Sequence, residues 1–494
     1  MSENSFEKCT DSFVQWTVGN GGYTVSDKVK VIDYRNVGRG RAMVAVEDVA
    51  EGETLFEIPR GSILNVNTSA LTRDYPSFGT SQLGEWEELI LCMLYEMFVL
   101  GENSRWYPYF NVLPSSAELN SLIYWSDREL GLLKPSFVIE RIGRGKSQEM
   151  FSKVLSYIEN QDSDLSLIAK YLTWENFVYV ASIIMSYSFD VEDLNPQSDE
   201  DDEIEDDDND SEMSPDKSIK SMIPLADTLN SDTHLCNANL MYDKETLKMT
   251  AIKPIRAGEE VFNIYGEHPN SEILRRYGYV EWKGSKYDFA ELPLEKLTDG
   301  VISHFKMQDQ QLLRMIFDII GKNDTINQIA EGENIILDTY DCYRDGQTLV
   351  EAILLLQTVC IIYQIPDILK ASEEELTKNV ERSFAKCYQL IQSGRITRQC
   401  LKAWEKSIEL RISDYPSHAN RELTPQTNIT DITTLRDAMA HVVLQGEVEA
   451  LRSCRLALRS NYKVIEDSKL LNNILKRKAN SAEEDDRDGK RQKQ

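Results

Sequence analysis

Two tyrosines twelve residues apart, each followed by glycine, form the part of the sequence whose residue types best suit chemistry. Tyr265 and Tyr277 place phenol hydroxyls beside turn-forming glycines, and Asp227 and Asn230 lie about one helical turn apart upstream of them. Hydroxyls and amides orient polar ligands, and glycine allows the backbone to approach a ligand closely. The combination indicates a binding or catalytic site. Taken alone, the tyrosines would also fit a core, and Asp227 and Asn230 would also fit a capped turn.

A second glycine-rich motif, Gly38-Arg39-Gly40, opens a strand-like segment near the N-terminus. A dinucleotide-binding fingerprint needs glycine or alanine three residues after the second glycine, and a helix must follow. This chain has Met43 at that position, and a strand pattern follows it. The fingerprint is therefore absent, and the motif alone predicts an ordinary tight turn.

The composition bounds the class of partner. With 494 residues and 41% hydrophobic residues, two or three packed domains are expected. The formal net charge is −28, and residues 199–212 carry eleven acids; without them the charge is still −17. Such a chain repels nucleic-acid phosphates and anionic membranes, so we expect no direct contact with either. A basic protein, such as a ribosomal protein or a histone, fits as the partner.

The cysteines and histidines give no sign of a metal site. None of the eight cysteines is spaced as C-x-x-C, which indicates reduced thiols in a cytosolic or nuclear protein. The histidines lack ligand spacing, and we expect all of them to be structural or at the surface. They are His234, His268, His304, His418 and His441. The polar N-terminus and the lack of an eighteen-residue apolar run predict no secretory signal and no membrane span.

The order of patterns along the chain predicts an α+β organisation. Strand alternation begins at Val29, and residues 86–101 and 165–189 read as helices. Residues 190–220 are acidic and poor in apolar side chains, which predicts a disordered loop. From residue 291 the pattern is almost wholly helical.

Two capping-box patterns mark helix starts in this helical region, at Thr348 to Glu351 and at Ser372 to Glu375. Residues 476–494 form a tail with two basic clusters around an acidic spacer. The tail is similar to a bipartite nuclear import signal, and a frayed, solvated terminus fits it equally well.

Four motifs in a fixed order now allow a resemblance to be named. They are GRGRAMVA at 38–45, PLADTLNSD at 224–232, NIYGE at 263–267 and LRRYGYVE at 274–281. In this order they resemble SET-domain protein methyltransferases, in the branch of the Rubisco large-subunit lysine methyltransferase and the fungal ribosomal lysine methyltransferases. No single motif is specific, but the ordered set is.

The resemblance implies the architecture. It implies small curved β-sheets in which the segments of Asn230 and Tyr265 interleave as a pseudoknot. The SET domain would span residues 25–280, with a helical insert at about 75–189 and the disordered acidic loop at 190–220. An all-α substrate-binding domain would follow at 291–465.

The resemblance also implies roles for individual residues, with S-adenosyl-L-methionine (AdoMet) as cofactor and no metal. Tyr277 would be the catalytic tyrosine and Tyr265 the second hydroxyl of the lysine channel. The residues implied to bind AdoMet are Arg39, Gly40, Arg41, Ser186, Asn230, Ser231 and Tyr277. Those implied to contact the substrate are Trp106, Tyr187, Phe189 and Tyr277. Most of the family has Asn-His where this chain has Asn230-Ser231, and that histidine contributes mostly through its backbone.

The implied reaction is methyl transfer from AdoMet to a protein lysine, with a low degree of methylation. The expected substrate is a basic protein of the 60S ribosomal subunit, and the enzyme is expected to be a nuclear monomer, with the cytoplasm as a second location. The residue types suit this reaction. A lysine, whose pKa is about 10.4 in water, must lose a proton, which an aromatic channel and a nearby sulfonium favour. A tyrosine hydroxyl, with a reference pKa of about 10, suits positioning better than strong general-base catalysis.

Two alternatives stay open. A histidine methyltransferase is one, because some relatives in this branch modify a histidine of actin, although the retained Tyr277 argues for lysine. An inactive SET-fold scaffold, or an acidic chaperone of basic proteins, is the other. Ser231 and the acidic run at 199–212 motivate it.

Overall fold

The computed structural model describes residues 3–76, 78, 83–160, 165–193, 218–308, 310–421, 429 and 431–475. The chain divides into two units. The described residues of 1–130, 140–285 and 425–436 form unit 1, and those of 131–139, 286–424 and 437–494 form unit 2. Residues 194–217 of the predicted acidic loop and the tail at 476–494 lie outside the described residues.

Unit 1 is built from short strands in small sheets. The strands are β1 (Thr24–Val25), β2 (Val29–Asp33), β3 (Arg41–Ala45), β4 (Thr54–Pro59), β5 (Ser188–Glu192), β6 (Ser218–Met222), β7 (Asn230–Ser231), β8 (Ala238–Tyr242), β9 (Thr246–Ala251) and β10 (Phe262–Asn263). β1, β4, β9 and β8 form a four-stranded antiparallel sheet in that order, and β2–β3 and β5–β6 are antiparallel pairs.

Helices of unit 1 surround these sheets. They are α1 (Glu3–Val18), α2 (Ala70–Asp74), α3 (Glu85–Leu94), α4 (Tyr107–Phe110), α5 (Asp127–Leu130), α6 (Arg144–Asn160), α7 (Ser166–Ala169), α8 (Trp174–Tyr187) and α9 (Asn270–Tyr277). A π-helical turn, Tyr95–Leu100, extends α3. Thr173 caps α8 by accepting a hydrogen bond from the backbone N–H of Asn176.

One pair of strands interleaves distant parts of the chain. β7 and β10 pair in parallel, with Phe262 opposite Asn230 and Asn263 opposite Ser231. The segment before β10 pairs with β3 as well, since Val261 N–H donates to the carbonyl of Met43 at 2.8 Å. The region around residue 260 is therefore held between β3 and β7. This is the interleaving of the Asn230 and Tyr265 segments that the resemblance to SET-domain methyltransferases implied.

The structure corrects several predicted boundaries of unit 1. Its core begins before residue 25, because Phe13 of α1 is fully buried in the same hydrophobic cluster as Phe56 of β4. The acidic loop was predicted too wide, because its ends form the paired strands β5 and β6. Gly131–Ile139, expected within the helical insert of the SET domain, belongs to unit 2.

Unit 2 is mainly helical, as predicted. Its helices are α10 (Leu294–Phe305), α11 (Gln311–Lys322), α12 (Asp324–Ile329), α13 (Val350–Ile362), α14 (Glu373–Gln392), α15 (Arg398–Asp414) and α16 (Ile432–Asn461), the last starting at the end of the residues of unit 1. The prediction of an all-α domain missed two strand pairs. They are β11 (Phe289–Pro293) with β12 (Thr339–Tyr343), antiparallel, and β13 (Arg395–Thr397) with β14 (Lys463–Ile465), parallel.

The two predicted capping boxes have different outcomes. The box at Ser372 and Glu375 is present at the start of α14. The box at Thr348 is wrong, because α13 starts after Leu349 and the Thr348 hydroxyl donates instead to the carbonyl of Asp341 at 2.9 Å. Nearly every side chain of α13 is buried, as expected for a helix whose residues are apolar on all sides. Among the described residues, no helix combines the length and apolar character needed to cross a membrane.

A close helix–helix contact in unit 2 gives a stability prediction. A Cβ on Gly300 of α10 would lie 1.9 Å from the Ser407 hydroxyl oxygen and 2.7 Å from the Ser407 backbone nitrogen. Gly300→Ala must therefore push α10 and α15 apart. We expect it to lower the free energy of unfolding of unit 2 by about 1–3 kcal/mol in denaturant titration.

The matched control is Gly321→Ala. Gly321 also lies in a helix, but a Cβ there would meet nothing closer than Ile336 at 3.9 Å. Alanine should be neutral or stabilising by up to about 1 kcal/mol at this position. Equal effects of the two substitutions would show that α10 and α15 do not pack as closely as described.

Candidate active site

The Asn230 side chain links β7 to β3 and to the segment before β10. Its amide nitrogen donates to the Arg41 carbonyl at 3.2 Å and to the Glu260 carboxylate at 2.8 Å. The other carboxylate oxygen of Glu260 accepts a hydrogen bond from Arg39 at 2.6 Å. Residues 39–41, 230 and 260 are thus tied together, although they are far apart in sequence. Sequence reasoning missed Glu260, since an acid beside an apolar strand is most often solvent-exposed.

Tyr265 lies just beyond β10 and is fixed to β7 at two points. Its hydroxyl donates to the Leu229 carbonyl at 2.7 Å, and its backbone N–H donates to the Ser231 hydroxyl at 3.3 Å. Burial of the hydroxyl raises the pKa of Tyr265 well above its usual value, so the phenol is neutral. The hydrogen of this hydroxyl is used by Leu229, which leaves the oxygen lone pairs as acceptors.

Tyr277 ends α9 and packs directly on Tyr265. The ring centroids are 4.8 Å apart, and the Tyr277 hydroxyl points at the Tyr265 carbonyl at 3.4 Å. Gly278 then turns the chain with φ +75, a value that most residues rarely adopt, and a Cβ there would lie 2.6 Å from the Asn120 backbone. Ser186 reaches the same helix end, where its hydroxyl donates to the Arg276 carbonyl at 2.7 Å.

A further tyrosine closes this group. Tyr279 donates its hydroxyl to the Ser231 carbonyl at 3.4 Å, and its ring centroid is 6.3 Å from that of Tyr277. Burial raises the pKa of Tyr279 as well. Position 231 therefore contributes its backbone carbonyl and a small hydroxyl, consistent with a role that does not need the histidine usual in the family. The sequence contained Tyr279 in the LRRYGYVE motif but gave no reason to assign it.

A buried carboxyl lies close to these tyrosines. Asp227 accepts a hydrogen bond from Tyr109 at 2.5 Å, and loss of hydration raises the pKa of this carboxyl to about 7. Its charge also contributes to the raised pKa values of Tyr187 and Tyr265, whose main cause is burial. Leu225, two residues before Asp227, has φ +76, a strained value for a side chain of this size. Strain and a buried acid together are typical of a functional segment.

The structure brings most of the predicted site residues together and separates others. Arg41 places its carbonyl at Asn230, while its guanidinium donates to Thr10 and to the Val112 carbonyl. Phe189 lies in β5 and packs against the hydrophobic core. Trp106 is fully buried and packs edge-on against Trp16, so it offers no surface to a peptide. The predicted substrate contact of Trp106 is therefore corrected to a core position.

Comparison with known proteins agrees with this geometry. The SET domain family model matches residues 40–266. Ribosomal lysine N-methyltransferase 4 of Saccharomyces cerevisiae is 44% identical over 97% of this chain and 98% of its own length. The chain belongs to the SET-domain methyltransferases. The predicted family, fold class and enzyme class are thereby confirmed.

Other relatives and solved structures extend the comparison. N-lysine methyltransferase SETD6 of Mus musculus is 30% identical over 61% of this SET-domain chain and 60% of the mouse protein. The structure of Rubisco LSMT bound to AdoMet superposes with a TM-score of 0.58 at 17% identity, covering 94% of this chain and 95% of that one. The SET domain of LSMT bound to lysine and AdoHcy gives a TM-score of 0.56 at 16% identity over 92% and 91% of the two chains. These likenesses show the same fold.

The AdoMet used by SET-domain methyltransferases fits the residues present. Gly38 and Gly40 both have positive φ, and a Cβ built on either would meet nothing within 4 Å, which leaves open space at the backbone. The Asn230 amide oxygen accepts no hydrogen bond from the described residues, so it can take one from a donor group of the cofactor. The confirmed cofactor thus has a backbone cradle and an amide acceptor. Among the described residues, no cluster of three or more histidine, cysteine or acidic side chains could hold a metal.

The buried Asp227 gives a prediction about pH. A folded-state pKa near 7 exceeds the ordinary value near 4, so the stability from the protonated form is complete below pH 4 and is lost as pH rises through 7. Asp227→Asn stays neutral and can still accept from Tyr109. We therefore compare the melting temperature of Asp227→Asn with that of the native chain at the same pH. The difference between them, variant minus native, should rise by roughly several °C from pH 5 to pH 8 in calorimetry.

The control for this experiment is Asp27→Asn, which replaces an exposed carboxyl of the same unit. Its melting-temperature difference from the native chain should change little over the same pH range. A constant difference for Asp227→Asn as well would contradict a carboxyl that titrates near neutrality.

Proposed function

We propose that this chain transfers one methyl group from AdoMet to a lysine of a ribosomal protein of the 60S subunit. The observation that carries the proposal is the contact between the rings of Tyr265 and Tyr277, next to the Asn230 segment that the AdoMet assignment uses. The relative with 44% identity is named a ribosomal lysine N-methyltransferase, and the alignment covers almost the whole of both chains. The S. pombe protein of the same name, 24% identical over 90% of this chain, supports the same substrate class.

The tyrosines suit a lysine amine as the nucleophile. Bound AdoMet supplies a methyl group on a positively charged sulfur. The hydroxyl hydrogens of Tyr265 and Tyr277 point at backbone carbonyls. The hydroxyl oxygens can therefore accept N–H hydrogen bonds from the amine, which directs the lone pair of its nitrogen toward the methyl group. Their rings form an apolar lining that disfavours a charged ammonium and excludes water. The protein thus contributes alignment and a neutral amine.

Charge suits a basic substrate. The chain carries 82 acidic side chains against 54 lysines and arginines. An acidic surface raises the rate at which a lysine- and arginine-rich protein associates, and salt weakens this effect. A basic ribosomal protein therefore matches the enzyme in charge as well as in the amino acid modified.

The central experiment compares the native chain with Tyr277→Phe. With radiolabelled AdoMet and purified 60S proteins, Tyr277→Phe should lower kcat at least 100-fold, because the hydroxyl that orients the amine is lost. Tyr343→Phe, at an exposed tyrosine of unit 2, should keep native activity. Mass spectrometry should place a single methyl group on a lysine.

Three outcomes would contradict this proposal. Native kcat in Tyr277→Phe would remove the assigned role of the hydroxyl. A methyl group found on histidine would favour the histidine methyltransferase. Calorimetry without any heat of AdoMet binding would favour an inactive scaffold or chaperone.

We also propose that the enzyme acts in the nucleus as a monomer, with the cytoplasm as a second location. The support for the nuclear location is the pair of basic clusters in the tail at 476–494, which lies outside the described residues. A fluorescent fusion of the full chain should accumulate in nuclei, and alanine at Lys490, Arg491 and Lys493 should abolish the accumulation. Unchanged nuclear signal in that variant would exclude the tail as the import signal.

A further inference from the structure

Ring contacts help to hold the Tyr277 side chain in place. The contact of the Tyr277 hydroxyl with the Tyr265 carbonyl is 3.4 Å long, near the limit for a hydrogen bond. Three rings surround Tyr277, with centroids at 4.8 Å for Tyr265, 6.1 Å for His268 and 6.3 Å for Tyr279. These ring contacts therefore help to set the position of the hydroxyl. The sequence pattern indicated no role for His268 beyond structure or surface.

The His268 ring packs against Gly266, the residue that follows Tyr265. A Cβ built on Gly266 would lie 2.5 Å from Nε2 of His268 and 2.9 Å from both Cδ2 and Cε1. The imidazole thus covers the face of Gly266, which follows Tyr265 directly and has φ +142. Only glycine leaves room for the ring at this point. His268 therefore contacts the chain of one channel tyrosine and the ring of the other.

The backbone around His268 is anchored independently of the ring. The His268 carbonyl accepts a hydrogen bond from the buried Ser285 hydroxyl at 2.7 Å. Two residues later, the Asn270 side chain donates to the Glu281 carbonyl at 3.0 Å and accepts from the Glu281 N–H at 2.8 Å. His268 itself is 7% exposed. The ring is therefore fixed from its backbone and has little freedom to leave its place.

We infer that His268 is a positioning residue for methyl transfer. Its imidazole, wedged between Gly266 and the Tyr277 ring, keeps the Tyr277 hydroxyl directed at the Tyr265 carbonyl and its oxygen available to the substrate amine. The inference depends on the Tyr277 role proposed above. It acts through Tyr277 alone, and this distinguishes it from a general contribution to folding.

The test is a double-mutant cycle on the full chain, with transfer of labelled methyl to 60S proteins as the measurement. His268→Ala should lower kcat about 10-fold, because a hydroxyl misplaced by a fraction of an ångström loses alignment. The KM for AdoMet should stay within twofold of the native value. In the Tyr277→Phe background, His268→Ala should cause no further loss, since the hydroxyl that it positions is gone.

A second substitution reaches the same contact from the other side. Gly266→Ala should displace the imidazole and lower kcat to the same extent as His268→Ala. Gly52→Ala is the matched control, since Gly52 also has positive φ, +82, but a Cβ there would meet nothing within 4 Å. It should keep native kcat, although alanine there also adopts a positive φ. His268→Phe restores a planar ring and should recover most of the activity.

Several results would overturn the inference. Native kcat in His268→Ala would show that the ring positions nothing. An equal loss in the native and Tyr277→Phe backgrounds would show a structural role. If His268→Ala fails to fold, His268→Phe and Gly266→Ala decide between the two outcomes. If Tyr277→Phe itself keeps native kcat, the proposed role of Tyr277 fails first, and the cycle shows this separately.

Discussion

The site depends on the parallel pairing of two very short strands, β7 and β10. Each contributes two residues, yet their register puts Asn230 opposite Phe262 and Ser231 opposite Asn263. Parallel neighbours need a long connection, and here the whole β8–β9 hairpin fills it. The Asn230 amide then reaches the Arg41 carbonyl, and a hydroxyl of the residue beside it reaches the Tyr265 backbone. Without this register, the cofactor segment and the tyrosines would not meet.

Around this pairing, burial sets the chemical character of the site. The raised pKa values of Tyr265 and Tyr279 keep both phenols neutral, and both donate their hydrogens to backbone carbonyls. Fixed, neutral dipoles of this kind suit methyl transfer from a sulfonium to an amine, because they are already oriented when the reaction occurs. Asp227 is the exception, a buried acid whose pKa lies near 7 and which Tyr109 supports by a hydrogen bond. Its nearness to the tyrosines makes the protonation state of the site sensitive to pH.

Local patterns predicted much of this fold, and non-local contacts were the part that they could not supply. The ordered motifs gave the family, and the box at Ser372 gave a helix start, because both are short-range signals. The box at Thr348 was wrong, because a hydrogen bond to a strand outcompeted the cap. In the sequence, an aromatic residue such as Trp106 fits a core position and a peptide contact equally well. Its complete burial in the structure shows that it belongs to the core. His268 was overlooked because its role depends on a glycine and a tyrosine that only the fold places beside it.

The most direct test of the account is a crystal structure of the chain with S-adenosylhomocysteine and a lysine-containing peptide. The account predicts the cofactor product against Gly40 and the Asn230 side chain. It predicts the lysine nitrogen within hydrogen-bond distance of the Tyr265 and Tyr277 hydroxyl oxygens, facing the sulfur. A cofactor bound away from Asn230, or a lysine that does not reach either tyrosine, would contradict it.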